Sequence, residues 1–205
     1  MIFATVGSQE PFDRLIRAVD EWAEARGRTD VLAQIGGSTF QPRHVQFTKF
    51  MDPAEFGKVM REASLVVAHA GMGSIISSLE LGKPIVVMPR RGDLHETRND
   101  HQVATAERFG AQGRIIVAND ELELPQKLDL ALRVGETGRI DTQASPRLIA
   151  TLRTFLQGGP CQLDSGAANE DEVREAKLSA HDQFRERAAA IESEESLAGL
   201  ETMHE

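Results

Sequence analysis

Two stretches of this chain hold residues whose types and spacing suit chemistry. His69-Ala70-Gly71-Met72-Gly73-Ser74 puts an imidazole, two glycines and a hydroxyl into six consecutive positions. Glycines ahead of a helix let the backbone approach an anion, and the helix's first N–H groups offer a partial positive charge. Ser74 adds a hydroxyl and His69 a donor. Further on, Glu96, Asp100, His101 and Gln102 bring carboxylate, imidazole and carboxamide groups suited to a hydroxyl-rich ligand. Phosphate on one side and polyol on the other point to a nucleotide sugar.

Each feature has a plainer reading beside it. Gly71 and Gly73 could simply let a helix pack close to a strand. His69 could bond a neighbouring backbone carbonyl. Asp100-His101-Gln102 could be a helix cap, with Asp100 or Asn99 as the N-cap. Arg90 and Arg91 either bind the diphosphate or an acidic sugar, or are solvated. His44 and His95 have no evident partner, and no metal-ligand spacing occurs among the His, Cys and acidic residues, so no metal is expected.

The elements that must position these residues are legible in the apolar pattern. Leu65 to Ala68 reads as a buried strand, and Ile75, Ile76, Leu79 and Leu81 follow at helical spacing. Gly82-Lys83-Pro84 stops that helix, and Ile85 to Met88 forms the next strand. Upstream, Ile2 to Val6 is a strand ending in Gly7-Ser8-Gln9, and Phe12, Leu15, Ile16, Val19 and Trp22 mark a helix closing near Gly27. Val31 to Ile35 and Val45 to Phe50 are further strands, with the loop Gly36-Gly37-Ser38-Thr39 between them. Asp52-Pro53 reads as an N-cap with proline at the first helical position, opening a helix to Ala63. Downstream, the spacing predicts a helix from His101 to Phe109 stopping at Gly110, and a strand from Arg114 to Val117. A helix over Asp120 to Val134 should begin nearer Pro125, and Pro146 to Leu156 reads as a last helix. Strands alternating with helices imply an α/β, Rossmann-like, doubly wound parallel sheet. Ligands of such sheets bind beyond the carboxyl ends of the strands.

Composition narrows the classes. The chain has 205 residues and a net charge of −9, which argues against sequence-independent nucleic-acid binding. A single cysteine, Cys161, excludes an internal disulfide and suits a reducing compartment. No apolar run approaches the ~20 residues of a membrane helix, and MIFATVG opens as a strand with no signal-like core. A cytoplasmic protein is expected. Residues 1–157 read as one globular domain and 158–205 as a tail. After Pro160 there are twelve Asp/Glu against four Lys/Arg, which carries almost all of the net charge. Val173, Ala176, Ala180, Phe184, Ala188 and Ile191 form a thin helical stripe there. The tail is either solvated or loosely docked, or a helix that packs on a partner.

An ordered set of motifs also carries a family resemblance. It comprises TVGSQEPFDRLI at the first strand, GGST at 36–39, FMDP at 50–53, HAGMGS at 69–74, LELGKP at 79–84 and E-x-x-x-D-H-Q from Glu96 to Gln102. Over about residues 1–157 the chain resembles the C-terminal, donor-binding half of family-28 (MurG-like) glycosyltransferases. It is most similar to free-standing forms that act as catalytic subunits of two-component exopolysaccharide transferases and of the dolichol-linked N-acetylglucosaminyltransferase. The resemblance implies a GT-B half-domain. It implies that Gly7, Ser8, Gln9, His69, Gly71, Met72, Gly73 and Ser74 hold the donor diphosphate, and that Phe50 and Met51 border the base. It gives the sugar to Glu96, Asp100, His101 and Gln102, with Glu96 and His101 as the candidates for a catalytic group. Relatives often carry a ribose-binding glutamate five residues before the GKP glycine. Here that position is Ser77, with Glu80 or Glu96 as substitutes.

The implied activity is a metal-independent hexosyltransferase that moves sugar from a UDP-sugar, its substrate rather than a cofactor, to a lipid-linked saccharide acceptor. A domain of ~150 residues leaves no room for an acceptor half. A membrane-anchored partner subunit is therefore expected to supply it and to hold the chain at the inner face of the membrane. A non-catalytic nucleotide-sugar-binding or regulatory module is the alternative. A nicotinamide oxidoreductase is disfavoured, since GSQEPF replaces G-x-G-x-x-G after the first strand and no acidic residue closes the second.

Overall fold

The computed structural model describes residues 1–135, 139–140, 144 and 146–157. The acidic tail and its helical stripe lie outside these residues. Six strands, β1 (Ile2–Thr5), β2 (Val31–Gln34), β3 (Gln46–Thr48), β4 (Leu65–His69), β5 (Ile85–Met88) and β6 (Ile116–Val117), form one sheet in the order β3-β2-β1-β4-β5-β6. All five pairings are parallel. This is the doubly wound Rossmann-like order, with its switch point where β1 meets β4.

Helices cover both faces, so the central strands are buried throughout rather than alternating. Ile2, Ala4, Leu65, Val67, Val86 and Met88 pack with α1 (Asp13–Ala25) and α5 (Leu124–Val134). Phe3, Val66, Ala68, Ile85 and Val87 turn to the other face, against α2 (Pro53–Glu62), α3 (Met72–Glu80) and α4 (His101–Ala111). Phe3 is fully buried and meets the Phe56 ring edge-on, with centroids 5.5 Å apart. α6 (Pro146–Leu156) buries none of its side chains.

Local signals set most boundaries as expected. Asp52 Oδ1 accepts from Ala54 N and Glu55 N at 2.8 Å each and caps α2, with Pro53 in its first turn. Gly82, at φ 66°, closes α3, and its N–H donates to Leu79 O at 3.1 Å. Three expectations need correction. The strand expected from Arg114 to Val117 is only Ile116–Val117, the edge strand β6. The edge strand β3 is only Gln46–Thr48, shorter than Val45 to Phe50, because only one neighbour pairs with it. Gly110 does not stop α4, which continues to Ala111. A Cβ at Gly110 would lie 2.8 Å from Val117 Cγ2, so this glycine serves the approach of α4 to β6.

The loop Gly36-Gly37-Ser38-Thr39 has its own task. Ser38 Oγ accepts from Phe12 N at 3.1 Å, and Thr39 N donates to Asp13 Oδ1 at 2.9 Å. It thereby fastens the amino end of α1, whose N-cap residue, Phe12, offers no capping side chain.

Candidate functional site

A cavity of about 960 Å³ opens at the carboxyl edge of the sheet, over the ends of β1 and β4. Gly7, Ser8, Gln9 and Glu10 line it from the loop after β1, and His69, Gly71, Gly73, Ser74 and Ser77 from β4 and α3. Met51, Pro53 and Phe56 form an apolar side, while Arg90, Thr97, Arg98, Asn99, His101 and Gln102 face it from the loop after β5. Ten of the expected site residues are thus brought together: Gly7, Ser8, Gln9, Met51, His69, Gly71, Gly73, Ser74, His101 and Gln102. Phe50 and Met72, 57% and 43% exposed, do not line the cavity; nor do Glu96 and Asp100. Ser77 lines the cavity, whereas Glu80 does not.

The amino end of α3 has no side-chain cap. Its first backbone bond runs from Ile75 N to Gly71 O at 3.2 Å, which leaves the amides of the first turn for a ligand. The three glycines around it differ in kind. A Cβ on Gly71 would fall 2.2 Å from His69 Nε2, and one on Gly7, at φ +77°, 2.7 Å from His69 Cε1. Gly7 and Gly71 therefore make room for the imidazole. At Gly73 an added Cβ meets nothing within 4 Å, so this face is open.

His69 Nδ1 is buried with no hydrogen-bond partner. Burial pushes the His69 pKa down from 6.5 to about 4, and the Arg90 charge adds to this. The Thr5 backbone pulls the other way, without reversing the shift. The imidazole is neutral at pH 7 and acts as a dipole, not a cation. Above pH 6.5 the folded and unfolded chains agree on its protonation. Below it the unfolded chain takes up a proton that the folded one refuses, so this contribution to stability is lost as pH falls from 6.5 towards 4. His69→Gln should flatten that part of the dependence of the melting temperature on pH. Identical profiles for parent and variant would contradict it.

Arg90 is only 4% exposed, and neither solvated nor paired with a carboxylate. Its guanidinium donates to Val6 O at 2.7 Å, Glu10 O at 2.5 Å and Pro11 O at 3.3 Å. One side chain thus holds the loop after β1 to the loop after β5. Burial lowers its pKa, and the more distant charges of Glu10 and Glu96 offset that only in part. Arginine stays charged nonetheless, so a cation held by neutral carbonyls, and lying 5.0 Å over the Phe12 ring, stands at the cavity wall. Arg91 is turned away and pairs with Asp93 at 2.7 Å.

Arg14, unnoticed in the sequence, organises the same loop. It grips Glu96 through two bonds of 2.8 Å, pairs with Glu121 at 2.9 Å and donates to Pro89 O at 3.2 Å. Glu96 also accepts from Arg91 N at 3.0 Å. Glu96, expected at the sugar or as a catalytic group, does not line the cavity and ties the loop of residues 89–100 through Arg14 and the Arg91 amide. Asp100 likewise reaches back to Gly92 N at 2.8 Å rather than capping α4, and Asn99 Oδ1 takes the His101 amide at 3.3 Å.

Gln102 is 6% exposed, and its Oε1 accepts from Arg90 N at 3.1 Å. The carboxamide oxygen is engaged there, and the NH₂ group is the donor left for the cavity. Gln102→Glu keeps the acceptor and removes the donor. It should weaken UDP-sugar binding by about 1–3 kcal/mol while UDP affinity stays close to the parent's, as paired calorimetric titrations would show. Equal losses for both ligands would remove Gln102 from the sugar side.

The similarities of the chain agree with this geometry. The glycosyltransferase family 28 C-terminal domain matches residues 1–145. A mouse protein, UDP-N-acetylglucosamine transferase subunit ALG13, is 31% identical over 180 residues, covering 75% of this chain but 15% of its own length. The protein of that name from Yarrowia lipolytica is 28% identical over 138 residues, covering 58% of this chain and 65% of its own. Among solved structures, a Listeria monocytogenes protein assigned as a UDP-N-acetylglucosamine 2-epimerase superposes with a TM-score of 0.55 at 14% identity, over 81% of this chain and 48% of that one, and so shares the fold. With its parallel sheet, its uncapped helix at the switch point and a domain match across residues 1–145, this chain belongs to the glycosyltransferase family 28 C-terminal domain family.

Proposed function

We propose that the chain is the donor-binding, catalytic subunit of a glycosyltransferase that takes a UDP-sugar. The observation that carries this reading is the uncapped amino end of α3, with the open face of Gly73, set in the crevice where the strand order reverses. Its relatives are named as UDP-N-acetylglucosamine transferase subunits, which makes UDP-N-acetylglucosamine the first donor to test and a second subunit the expected partner. The finer reading is transfer to a lipid-linked saccharide for a cell-surface polysaccharide, with a membrane-anchored partner supplying the acceptor site.

In the proposed step an acceptor hydroxyl attacks the anomeric carbon as the bond to the UDP oxygen breaks. UDP leaves with the electron pair, and the hydroxyl proton passes to a base. The α3 amides and the Arg90 charge stabilise the growing negative charge on UDP. Glu96 is engaged by Arg14 and lies off the cavity lining, which favours another group as that base. His101 and Glu10 are exposed titratable groups on the cavity that could take the proton, and the partner is the other source. Among the described residues no group of three or more His, Cys, Asp or Glu is placed to hold a metal ion.

Calorimetry on the full chain with UDP, UDP-N-acetylglucosamine and NAD tests the binding. UDP and the UDP-sugar should bind and NAD should not; no heat with either uridine nucleotide overturns the proposal. With the partner subunit added, transfer should continue in EDTA. Loss in EDTA with recovery on added magnesium would assign a metal to the reaction.

A further inference from the structure

The end of β2 holds a polar side chain that neither the motifs nor the reading above accounts for. Gln34 is 5% exposed, lies within the apolar run Val31 to Ile35 and lines the cavity. Its Oε1 accepts from Thr5 Oγ1 at 3.0 Å, and that hydroxyl in turn accepts from Gly7 N at 3.1 Å. Gly7 N–H can only donate, so Thr5 Oγ1 receives it and has one hydrogen left, for which Gln34 Oε1 is the acceptor at hand. The Gln34 amide nitrogen is left with no hydrogen-bond partner among the described residues, and it is not sealed from the cavity.

A donor buried to this degree and left unpaired costs free energy in the empty protein unless water or a ligand meets it. The fold says where along a ligand it would act. β2 lies on the β3 side of β1, away from β4 and the α3 amides. The apolar residues Met51, Pro53 and Phe56, which follow β3 in the chain, also line the cavity. We infer that Gln34 Nε2 donates a hydrogen bond to a carbonyl or hydroxyl oxygen of the nucleoside part of the bound nucleotide, with Thr5 holding the carboxamide in the donating orientation. The inference rests on the proposed UDP-sugar site and adds a specificity residue to it. Gln34 reads acceptor oxygens of the nucleoside while the α3 turn takes the phosphates.

Gln34→Met keeps the bulk and removes the donor, and Gln34→Glu presents acceptors in its place. Calorimetric titration with UDP should show affinity about 5- to 150-fold weaker for the methionine variant, and weaker still for the glutamate variant. Melting temperatures without ligand separate this loss from unfolding. A measurement on the unaltered chain needs neither variant to fold. The assigned side-chain NH₂ resonances of Gln34 should move on adding UDP or uridine at millimolar concentration, and stay in place with inorganic pyrophosphate. UDP binding by the parent with unmoved resonances, or resonances that answer to pyrophosphate, would overturn the inference and leave the UDP site intact. A parent that binds no uridine nucleotide would overturn the proposed function itself.

Discussion

Gly73→Val is expected to abolish UDP binding, a loss of at least about 100-fold, while the variant melts at or above the parent's temperature. The two halves of this outcome have separate causes. An added Cβ at Gly73 meets no atom within 4 Å, so nothing in the empty protein opposes the side chain. Glycine in the first turn of α3 also carries a helix cost that valine reduces by a few tenths of a kcal/mol. The open space at Gly73 is on the cavity wall, beside amides that no side chain caps, and a branched side chain there would stand where a diphosphate must approach the backbone. Gly71→Ala should behave in the opposite way. Its φ of −83° suits any residue, but its Cβ would lie 2.2 Å from His69 Nε2, and overpacking of this kind costs about 1–3 kcal/mol. Calorimetry and thermal melts on the two variants check the contrast. UDP binding by Gly73→Val at the parent's affinity would move the phosphate site elsewhere.

The largest effect on stability is expected from Arg90→Met. Three carbonyls, of Val6, Glu10 and Pro11, would lose a charged donor, and the loop bearing Gly7, Ser8 and Gln9 would lose its tie to β5. Charge-assisted bonds contribute about 1.5–3 kcal/mol each, and the cost of burying the guanidinium offsets part of their sum. A net loss on the order of 3 kcal/mol follows, or roughly 6–12 °C in melting temperature for a protein of this size. UDP affinity should fall with it, since both the loop geometry and the nearby positive charge are affected. Arg90→Lys would keep the charge but reach fewer of the three carbonyls, and should fall between parent and methionine variant. A methionine variant melting within about 2 °C of the parent would show that the loop is held by other means.

The sequence by itself determined the layered architecture and the edge of the sheet where the site lies. Apolar strands rich in β-branched residues, glycine soon after β1, β2 and β4, and proline or aspartate at several helix starts are local signals, complete within a few residues. That is why Asp52 and Gly82 do in the structure what their positions imply. The order of the motifs along the chain was enough for the family. What only the tertiary structure decided is which polar group answers which. Arg14 meets Glu96 across 82 positions, Arg90 reaches Val6 across 84, and Thr5 finds Gln34 across 29. No periodicity encodes such a pairing, because it depends on which loops a parallel sheet sets side by side at one edge. The lone glutamine in the apolar run Val31 to Ile35 was the one visible hint of Gln34. For Gly7 and Gly71 the sequence supplied the residue and the structure its main reason, the His69 imidazole lying between two backbones with no room for a Cβ on either.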